Sequence, residues 1–396
     1  MDADINPVLD ILGRRLRLAI IGGGPGSFIG AMHRTAARLD DRYELVGGAF
    51  SSDPERSKAS GIAMGLPAEQ SYRGGMELLD READRDGGAD VIAIMTPNDS
   101  HYEYATAALE RGFDVISDKP MTNTLDEALD LLEKVRASGL VYCLTHNYTG
   151  YPLVRQARAM VDDGQLGEIR LAQIEYVQGG KADENDPDPS DELPWRYDPV
   201  RGGPSLVMGD IGTHAHNLLC FISGLQVSEV AAEVGTIVPN RLVHDYAGAL
   251  LRLSNGARGS FWVTQAAAGV ENCLRIRISG TRGTVEWMQE LPQVLTFKPL
   301  KGPVEVRTPN GPGTLPLAAR ASRIVAGHPE GIHEGFATIY SDAAEAIASR
   351  RAGKKVDPLA LHFPSAEDGV RGIKFVEAAI ASSAADGAWT SCVVDV

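Results

Sequence analysis

The sequence has 396 residues, 43% of them hydrophobic, a length and composition that suit two domains. Its formal net charge of −15 at pH 7 argues against nucleic-acid binding, because phosphate binding needs clustered Lys and Arg. No stretch approaches the roughly 20 apolar residues of a membrane span, the acidic N-terminus lacks a signal-like apolar run, and the four cysteines show no metal-type or redox spacing. We therefore expect a cytoplasmic protein that binds neither nucleic acid nor membrane.

Short runs of Val, Ile and Leu alternate with helical patterns in the first part of the chain. The predicted strands are Leu16–Ile21, Leu45–Phe50, Val91–Met95, Val115–Ser117 and Val141–Leu144. Helical periodicity marks Phe28–Leu39 and Leu125–Ala137. This alternation predicts an α/β domain with a doubly wound parallel sheet, the Rossmann type, over residues 1–145. Residues 146–396 would form a second domain, whose C-terminal helices are free to pack back on the first.

A glycine-rich turn follows the first predicted strand and precedes the first predicted helix. Glycines in this context allow a tight turn, and they let backbone N–H groups approach a pyrophosphate at the helix N-terminus. The G-x-G-x-x-G spacing matches two glycines, with a serine in place of the third. The candidate dinucleotide contacts are Gly22, Gly24, Pro25, Gly26, Ser27 and Phe28. A purely structural turn is the alternative.

The end of the second predicted strand bears on which dinucleotide binds. An acid there accepts hydrogen bonds from the adenosine ribose and repels a 2′-phosphate. Ser51 stands at that position, and Arg56 follows five residues later. A hydroxyl and a cation suit a phosphate, so NADP is slightly favoured over NAD. The alternative is that Asp53 caps the next helix and Arg56 is a solvated side chain.

Two further motifs follow later strands, where ligands collect in open α/β sheets. They are Thr96-Pro97-Asn98 with His101, and Asp118-Lys119-Pro120. A lysine beside a bound nicotinamide can exchange a proton with a reacting hydroxyl or carbonyl, because nearby positive charge depresses its pKa. An ordinary surface lysine is the alternative for Lys119.

Asp210 and His214 are spaced four residues apart before an apolar helical stretch. This spacing puts them on one face of a helical turn, where a carboxylate can orient an imidazole that carries a proton. The alternatives are a helix N-cap for Asp210 and a core histidine for His214. We expect no metal, because His216 would point to another side of the helix and no third well-spaced ligand is evident. Elsewhere, Lys181–Glu192 holds six acids and two prolines and is predicted to be an exposed loop.

In order and separation, these motifs resemble those of the Gfo/Idh/MocA family, the glucose-fructose oxidoreductase and inositol dehydrogenase group. The resemblance covers nearly the whole chain. It rests on the glycine turn, Thr96-Pro97-Asn98 with His101, Asp118-Lys119-Pro120, Trp195-Arg196, Gly202-Gly203 and Asp210-x-Gly212-x-His214.

The resemblance implies an NAD(P)-dependent dehydrogenase or reductase that acts on a secondary hydroxyl of a sugar, glycoside or cyclitol. It implies catalytic roles for Lys119, Asp210 and His214, which also bind substrate. The residues that it places near the cofactor are Thr96, Pro97, Asn98, His101, Asp118, Lys119, Trp195 and Arg196.

The resemblance also implies a second α/β domain with a large, open, mostly antiparallel sheet that supports homodimers or homotetramers. Its strands would be Ile169–Val177, Glu229–Val238, Tyr246–Leu253, Gly259–Thr264, Leu274–Ser279 and Gly283–Trp287.

The sequence departs from the family pattern in three places. Asp118 replaces the usual Glu, Ser51 replaces an Asp that NAD-using members often carry, and the segment 146–152 lacks an Arg often found there. Tyr148, within that segment, is a candidate substrate contact. Two other function classes stay open: a glycoside-cleaving enzyme that uses NAD⁺ transiently, and a non-catalytic regulator that senses dinucleotide.

Overall fold

The computed structural model describes residues 6–184, 186–189 and 191–396. The N-terminal residues 1–5 and two residues of the acidic segment, Asn185 and Ser190, lie outside the described part. The chain divides into two compact units that are discontinuous in sequence. The first unit comprises residues up to 122, 126–150 and 332–369, and the second comprises 123–125, 151–331 and 370–396. Residues 332–369 thus return to the first unit, a possibility that the predicted boundary between residues 145 and 146 left open.

The first unit is built on five strands: β1 Leu16–Gly22, β2 Tyr43–Ala49, β3 Val91–Met95, β4 Asp114–Ser117 and β5 Tyr142–Leu144. Its helices are α1 Pro7–Leu12, α2 Phe28–Leu39, α3 Pro54–Ala63, α4 Gly75–Asp84, α5 His101–Glu110, α6 Leu125–Ser138 and α11 Ile332–Arg351. Strands β2, β4 and β5 differ from the predicted ones at their ends by one or two residues. Strand β1 ends one residue later than predicted, at Gly22.

The five strands form a parallel sheet in the order β2-β1-β3-β4-β5. The β3 strand is buried along its whole length, as expected for a strand covered on both faces. The strand order reverses direction at β1, so the crevice between the carboxyl ends of β1 and β3 is the ligand position expected for such a sheet. The predicted doubly wound parallel sheet is confirmed.

Helix α11 completes the core of the first unit. Tyr340 on this helix is buried, its Oη lies 2.7 Å from Nδ1 of His33, and its carbonyl accepts a hydrogen bond of 2.8 Å from Tyr43 Oη. Burial lowers the pKa of His33 to about 4, so the ring is neutral near pH 7. Helix α11, which lies far beyond residue 145 in the sequence, therefore supplies part of the core of the first unit.

Two buried carboxylates at the start of β3 and β4 hold the end of α11. Asp114 accepts hydrogen bonds from Arg350 and Arg351, and Asp90 accepts two from Arg14, at 2.6 and 3.0 Å. Arg351 also lies 3.2 Å from the Asp90 carboxylate. Burial alone would raise the pKa of Asp90, but the hydrogen bonds from Arg14 and from the Arg17 N–H and the charge of Arg351 outweigh it and lower that pKa.

Replacing Asp90 with Asn should lower the free energy of unfolding at pH 7 by about 2 kcal/mol, because charge-assisted hydrogen bonds are lost. A lowered folded-state pKa stabilises the fold above the unfolded pKa of about 3.9, and this contribution disappears as pH falls through the folded value. The difference in the free energy of unfolding between variant and wild type should therefore be smaller at about pH 3 than at pH 7. Urea unfolding at the two pH values measures it. Asp80→Asn, which removes an exposed pair with Arg111, is the control and should change little. A constant difference across this pH range would contradict the prediction.

The second unit contains β6 Ile169–Val177, β7 Val227–Gly235, β8 Tyr246–Leu253, β9 Arg258–Thr264, β10 Cys273–Gly280, β11 Gly283–Met288, β12 Leu295–Pro299, β13 Glu305–Arg307 and β14 Thr390–Ser391. Its helices are α7 Pro152–Asp162, α8 Pro199–Gly202, α9 Thr213–Ser223 and α10 Pro316–Ala321, and it receives most of α12 Ala366–Ala384.

These nine strands form one sheet in the order β13-β12-β11-β10-β6-β9-β8-β7-β14. All neighbours are antiparallel except β6 and β9, which are parallel. The large, mostly antiparallel sheet is confirmed. The predicted strand Glu229–Val238 is shifted, because the chain leaves the ladder after Gly235, and the strands β12 to β14 were not predicted. In the described residues, no helix is both long and apolar enough to cross a membrane.

Candidate active site

The glycine turn lies at the end of β1 and depends on the absence of side chains. Gly22 and Gly23 have φ values of +89° and +62°, which favour glycine. A Cβ on Gly22 would lie 2.7 Å from the carbonyl oxygen of Met95 at the end of β3, and one on Gly24 would collide with the carbonyl oxygen of Phe50. The backbone of the turn thus fits between the ends of two strands only as glycine.

Helix α2 begins immediately after the turn, with Ser27 as its N-cap. The Ser27 hydroxyl accepts a hydrogen bond of 3.1 Å from the Gly30 N–H. Gly30 also packs against the turn, because a Cβ at this position would collide with the backbone of Gly23. We expected Ser27 to replace the third glycine of the motif, whereas Gly30 provides the close packing between helix and turn. The first N–H groups of α2 lack intrahelical acceptors, so this terminus suits a pyrophosphate.

The residues after β2 are organised by the helix that follows. Asp53 is the N-cap of α3 and accepts a hydrogen bond of 2.7 Å from the Arg56 N–H, as in the alternative interpretation of this segment. The Ser51 hydroxyl accepts a hydrogen bond of 3.1 Å from the Asp53 N–H, and the Arg56 side chain is exposed. The Ser51 oxygen still has its proton to donate.

His101 joins the two motifs that follow β3 and β4. It is fully buried, with Nδ1 2.8 Å from the Pro120 carbonyl oxygen and Nε2 3.0 Å from the Thr96 carbonyl oxygen. Both ring nitrogens therefore contact main-chain atoms, and His101 connects the two loops. Pro97 and Asn98 lie in the same loop, where Asn98 is buried.

Asp118 fixes the backbone on the other side of Lys119. Its Oδ1 accepts hydrogen bonds of 2.9 Å from the Lys119 N–H and from the Thr145 hydroxyl, and the Lys119–Pro120 peptide bond is cis. The shorter acid at this position thus holds the backbone N–H of the lysine and the end of β5. Tyr148, the candidate substrate contact, is buried in the turn Asn147–Gly150.

In the second unit, Asp210 lies in a π-helical turn, Met208–Gly212, that runs directly into α9. Such turns occur frequently at functional sites. The helix begins before Asp210, so this residue is not the N-cap of α9. Its Oδ2 accepts a hydrogen bond of 2.9 Å from Gln265 Nε2. His214 lies in the first turn of α9 and is 9% exposed.

His216 belongs to the core of the second unit. Its ring stacks on Phe375 at 4.6 Å, and burial lowers its pKa to about 4. No cluster of three metal-ligating side chains occurs among the described residues. His216 is therefore a packing residue rather than a partner in proton transfer.

Trp195 and Arg196 lie in the short turn Trp195–Tyr197, and the Arg196 guanidinium stacks 4.2 Å from the Trp195 ring centroid. Lys181 is only partly exposed and donates a hydrogen bond of 2.7 Å to the Tyr197 hydroxyl. The predicted exposed loop therefore begins with an anchored residue. It is held again at Asp186, whose carboxylate lies 2.9 Å from Nε of the Arg241 side chain, itself 1% exposed.

The sequence analysis did not identify two groups of residues that the structure places at the site. Gly30 was hidden inside a helical pattern, where an isolated glycine is itself a signal of close packing. Gln178 and Gln265 stand one residue beyond β6 and β9. Polar residues at the ends of two strands are a signal only when those strands are known to be parallel neighbours.

Two family models match the chain. That of the "Oxidoreductase family, NAD-binding Rossmann fold" matches residues 16–146, and that of the "GFO/IDH/MocA C-terminal domain" matches residues 154–286. The chain is 32% identical to the uncharacterized oxidoreductase YfiI of Bacillus subtilis over 96% of its own length and 97% of that protein.

Two solved structures are similar over nearly the whole chain. An oxidoreductase from Sinorhizobium meliloti is 45% identical with a TM-score of 0.86, covering 95% of this chain and 99% of that one. An inositol dehydrogenase homolog complexed with NADH and myo-inositol from Azotobacter vinelandii is 33% identical with a TM-score of 0.88, covering 96% and 98%.

Proposed function

Because the chain belongs to the Gfo/Idh/MocA oxidoreductase family, we propose that it transfers a hydride between NAD(P) and a secondary hydroxyl or ketone of a sugar, glycoside or cyclitol. The observation that carries this proposal is the order of β1, β3 and β4, which brings the glycine turn, the Thr96 loop and the Lys119 loop to the ends of adjacent strands. The myo-inositol bound by the Azotobacter homolog supports the substrate class.

The residues of the first unit fit a dinucleotide. The glycine turn packs against Met95 at the end of β3 and Phe50 after β2, as only glycine allows, and it leads into the N-terminus of α2. We assign the pyrophosphate to Gly22, Gly24, Pro25, Gly26, Ser27 and Phe28. Further proposed cofactor contacts are Ser51, Arg56, Thr96, Pro97, Asn98, His101, Asp118 and Lys119, with Trp195 and Arg196 of the second unit. When bound, the nicotinamide supplies or accepts the hydride.

We propose that side chains of the protein accept and return the proton of the substrate hydroxyl. Lys119 or His214 takes the proton from the substrate hydroxyl during oxidation and returns it during reduction. Asp210 orients the substrate hydroxyl or the imidazole, and its contact with Gln265 supports a fixed role for this carboxylate. Tyr148 is proposed as a further substrate contact.

The direct test is to measure nicotinamide reduction by absorbance against inositols, sugars and glycosides, each with NAD⁺ and with NADP⁺. We expect net reduction with at least one cyclic polyol. Tightly retained cofactor with glycoside cleavage and no net reduction would instead indicate the transient use of NAD⁺. Dinucleotide binding without turnover of any substrate would indicate a regulator.

We propose that the segment after β2 decides between the two dinucleotides, with NADP slightly favoured because Ser51 leaves no carboxylate there. Ser51→Asp should lower kcat/KM with NADP⁺ by about 10-fold or more and leave that with NAD⁺ nearly unchanged, because the carboxylate repels a 2′-phosphate. Steady-state kinetics with both cofactors measures this change. Ser52→Asp, which adds the same charge one residue further on, is the control. An unchanged cofactor ratio in Ser51→Asp would refute this assignment.

We also propose that the chain forms a homodimer or homotetramer through the open face of its nine-stranded sheet. On this face Leu171, Leu250 and Trp262 are 54%, 60% and 40% exposed. Exposed apolar groups that cluster on one surface favour association. The expected cytoplasmic location is consistent with the four free cysteines. Sedimentation of the purified chain would establish its assembly.

A further inference from the structure

Two glutamines lie side by side at the end of the only parallel strand pair in the described part of the second sheet. Val177 pairs with Thr264 at the ends of β6 and β9, so Gln178 and Gln265 follow directly at the same edge. The Gln178 N–H donates a hydrogen bond of 2.8 Å to the Thr264 carbonyl. Because parallel strands end at one edge, the two side chains meet there.

The backbone of Gln265 is held on both sides. Its N–H donates to the Asp245 carbonyl at 3.0 Å, and its carbonyl accepts from the Lys181 N–H at 2.9 Å. The residue is 5% exposed. The position of this amide is therefore set by the sheet and by the start of the acidic segment.

The side-chain amide nitrogen of Gln265 donates hydrogen bonds to two acceptors. Nε2 donates to Asp210 Oδ2 at 2.9 Å and to Gln178 Oε1 at 3.3 Å. In the opposite amide orientation, Gln265 Oε1 would face two oxygen acceptors. The two neighbours together therefore define which end of the amide faces Asp210.

Gln178 is itself fixed by neighbouring polar side chains. Its Nε2 donates to Asn272 Oδ1 at 2.6 Å, and Tyr176 Oη donates to the same oxygen at 2.9 Å. Asn272 Nδ2 then donates to Gln289 Oε1 at 3.0 Å. A chain of hydrogen bonds thus extends from Asp210 across β6, β9 and β10, and such chains restrict the rotation of each member.

We propose that Gln265 is a positioning residue that holds the Asp210 carboxylate in the orientation needed for proton transfer. Asp210 lies in a π-helical turn, and its side chain can rotate about two torsions unless a neighbour holds it. The amide of Gln265, braced by Gln178, restricts this rotation. The inference rests on the proposed function, which gives Asp210 its role.

The first experiment compares Gln265→Met with wild type on a substrate identified by the absorbance panel. Methionine keeps a similar length and removes both N–H donors. We expect kcat to fall about 10-fold, the low end of what one hydrogen bond to a charged group contributes, with less than a twofold change in KM and in dinucleotide Kd. Gln165→Met is the matched control, because the Gln165 amide also donates 2.9 Å to a carboxylate, that of exposed Asp163.

A double-mutant cycle then separates positioning from a general structural role. Asp210→Asn should lower kcat about 10²-fold, and adding Gln265→Met should lower it less than twofold further, since nothing is left to position. A loss of about 10-fold in both backgrounds would overturn the proposal, as would wild-type kcat in Gln265→Met. Thermal unfolding checks that each variant is folded.

If Gln265→Met does not fold, Gln265→Glu keeps the size and places an acceptor against Asp210. It should lose at least as much kcat, and wild-type kcat in this variant would overturn the proposal. A crystal structure of the variant that folds should show the Asp210 carboxylate rotated from its wild-type orientation, and an unchanged carboxylate would count against positioning. If wild type itself oxidises no polyol, the proposed function fails, whereas normal wild type with an insensitive Gln265 rejects only this inference.

Discussion

Replacing Lys119 with Met is expected to lower kcat by about 10³-fold while dinucleotide affinity stays within twofold of wild type. The proposed function gives the proton to Lys119 or His214, and this prediction gives it to Lys119, whose amine accepts it during oxidation and whose ammonium returns it during reduction. Positioned acid–base groups contribute roughly 10²–10⁴-fold. The loop should keep its shape, because Asp118 and His101 hold it through main-chain atoms on either side of Lys119. Single-turnover kinetics and dinucleotide titration measure the two quantities.

Lys134→Met is the matched control for this substitution. Lys134 is paired with Asp130 on the surface of α6, one helical turn away. Its loss should leave kcat unchanged, because exposed pairs contribute little. If Lys119→Met retained most of the wild-type kcat, the proton would have to be carried by His214 alone. Equal losses of kcat and of dinucleotide affinity would instead place Lys119 in cofactor binding.

Replacing Gly30 with Ala is expected to lower the free energy of unfolding by about 2 kcal/mol and dinucleotide affinity by about 10-fold or more. The added Cβ would collide with the backbone of Gly23, so α2 or the glycine turn must move. Either movement displaces the N–H groups assigned to the pyrophosphate. Urea unfolding and dinucleotide titration measure the two effects.

Gly372→Ala in α12 is the matched control, since no neighbouring atom lies within 4 Å of a Cβ there. In this helix interior, alanine should stabilise the protein by about 0.5–1 kcal/mol, through its higher helix propensity. The same substitution thus has opposite expected signs in the two helices. If Gly30→Ala bound dinucleotide as wild type does, the close packing of helix and turn would have no part in binding.

The helices and strands around the glycine turn could be predicted from local sequence patterns. The predicted helix Phe28–Leu39 and strand Val91–Met95 match the structure at both ends. Strand Val227–Gly235 was less well predicted, because its end is decided by pairing with β8 rather than by its own composition. The π-helical turn at Asp210 had no signal in the apolar periodicity, which assumes regular helical spacing.

By itself, the sequence determined the alternation of strands and helices, the glycine turn, and the presence of Lys119, Asp210 and His214 as candidate chemical groups. These features depend on residues close together in the chain, where periodicity and turn chemistry act. Only the tertiary structure decided that Gly30 packs on Gly23, that His101 joins the loops of Thr96 and Pro120, and that Gln265 donates a hydrogen bond to Asp210. The contacts of His101 and Gln265 depend on which strands and loops are neighbours, and strand order arises from the burial of whole elements rather than from any short segment.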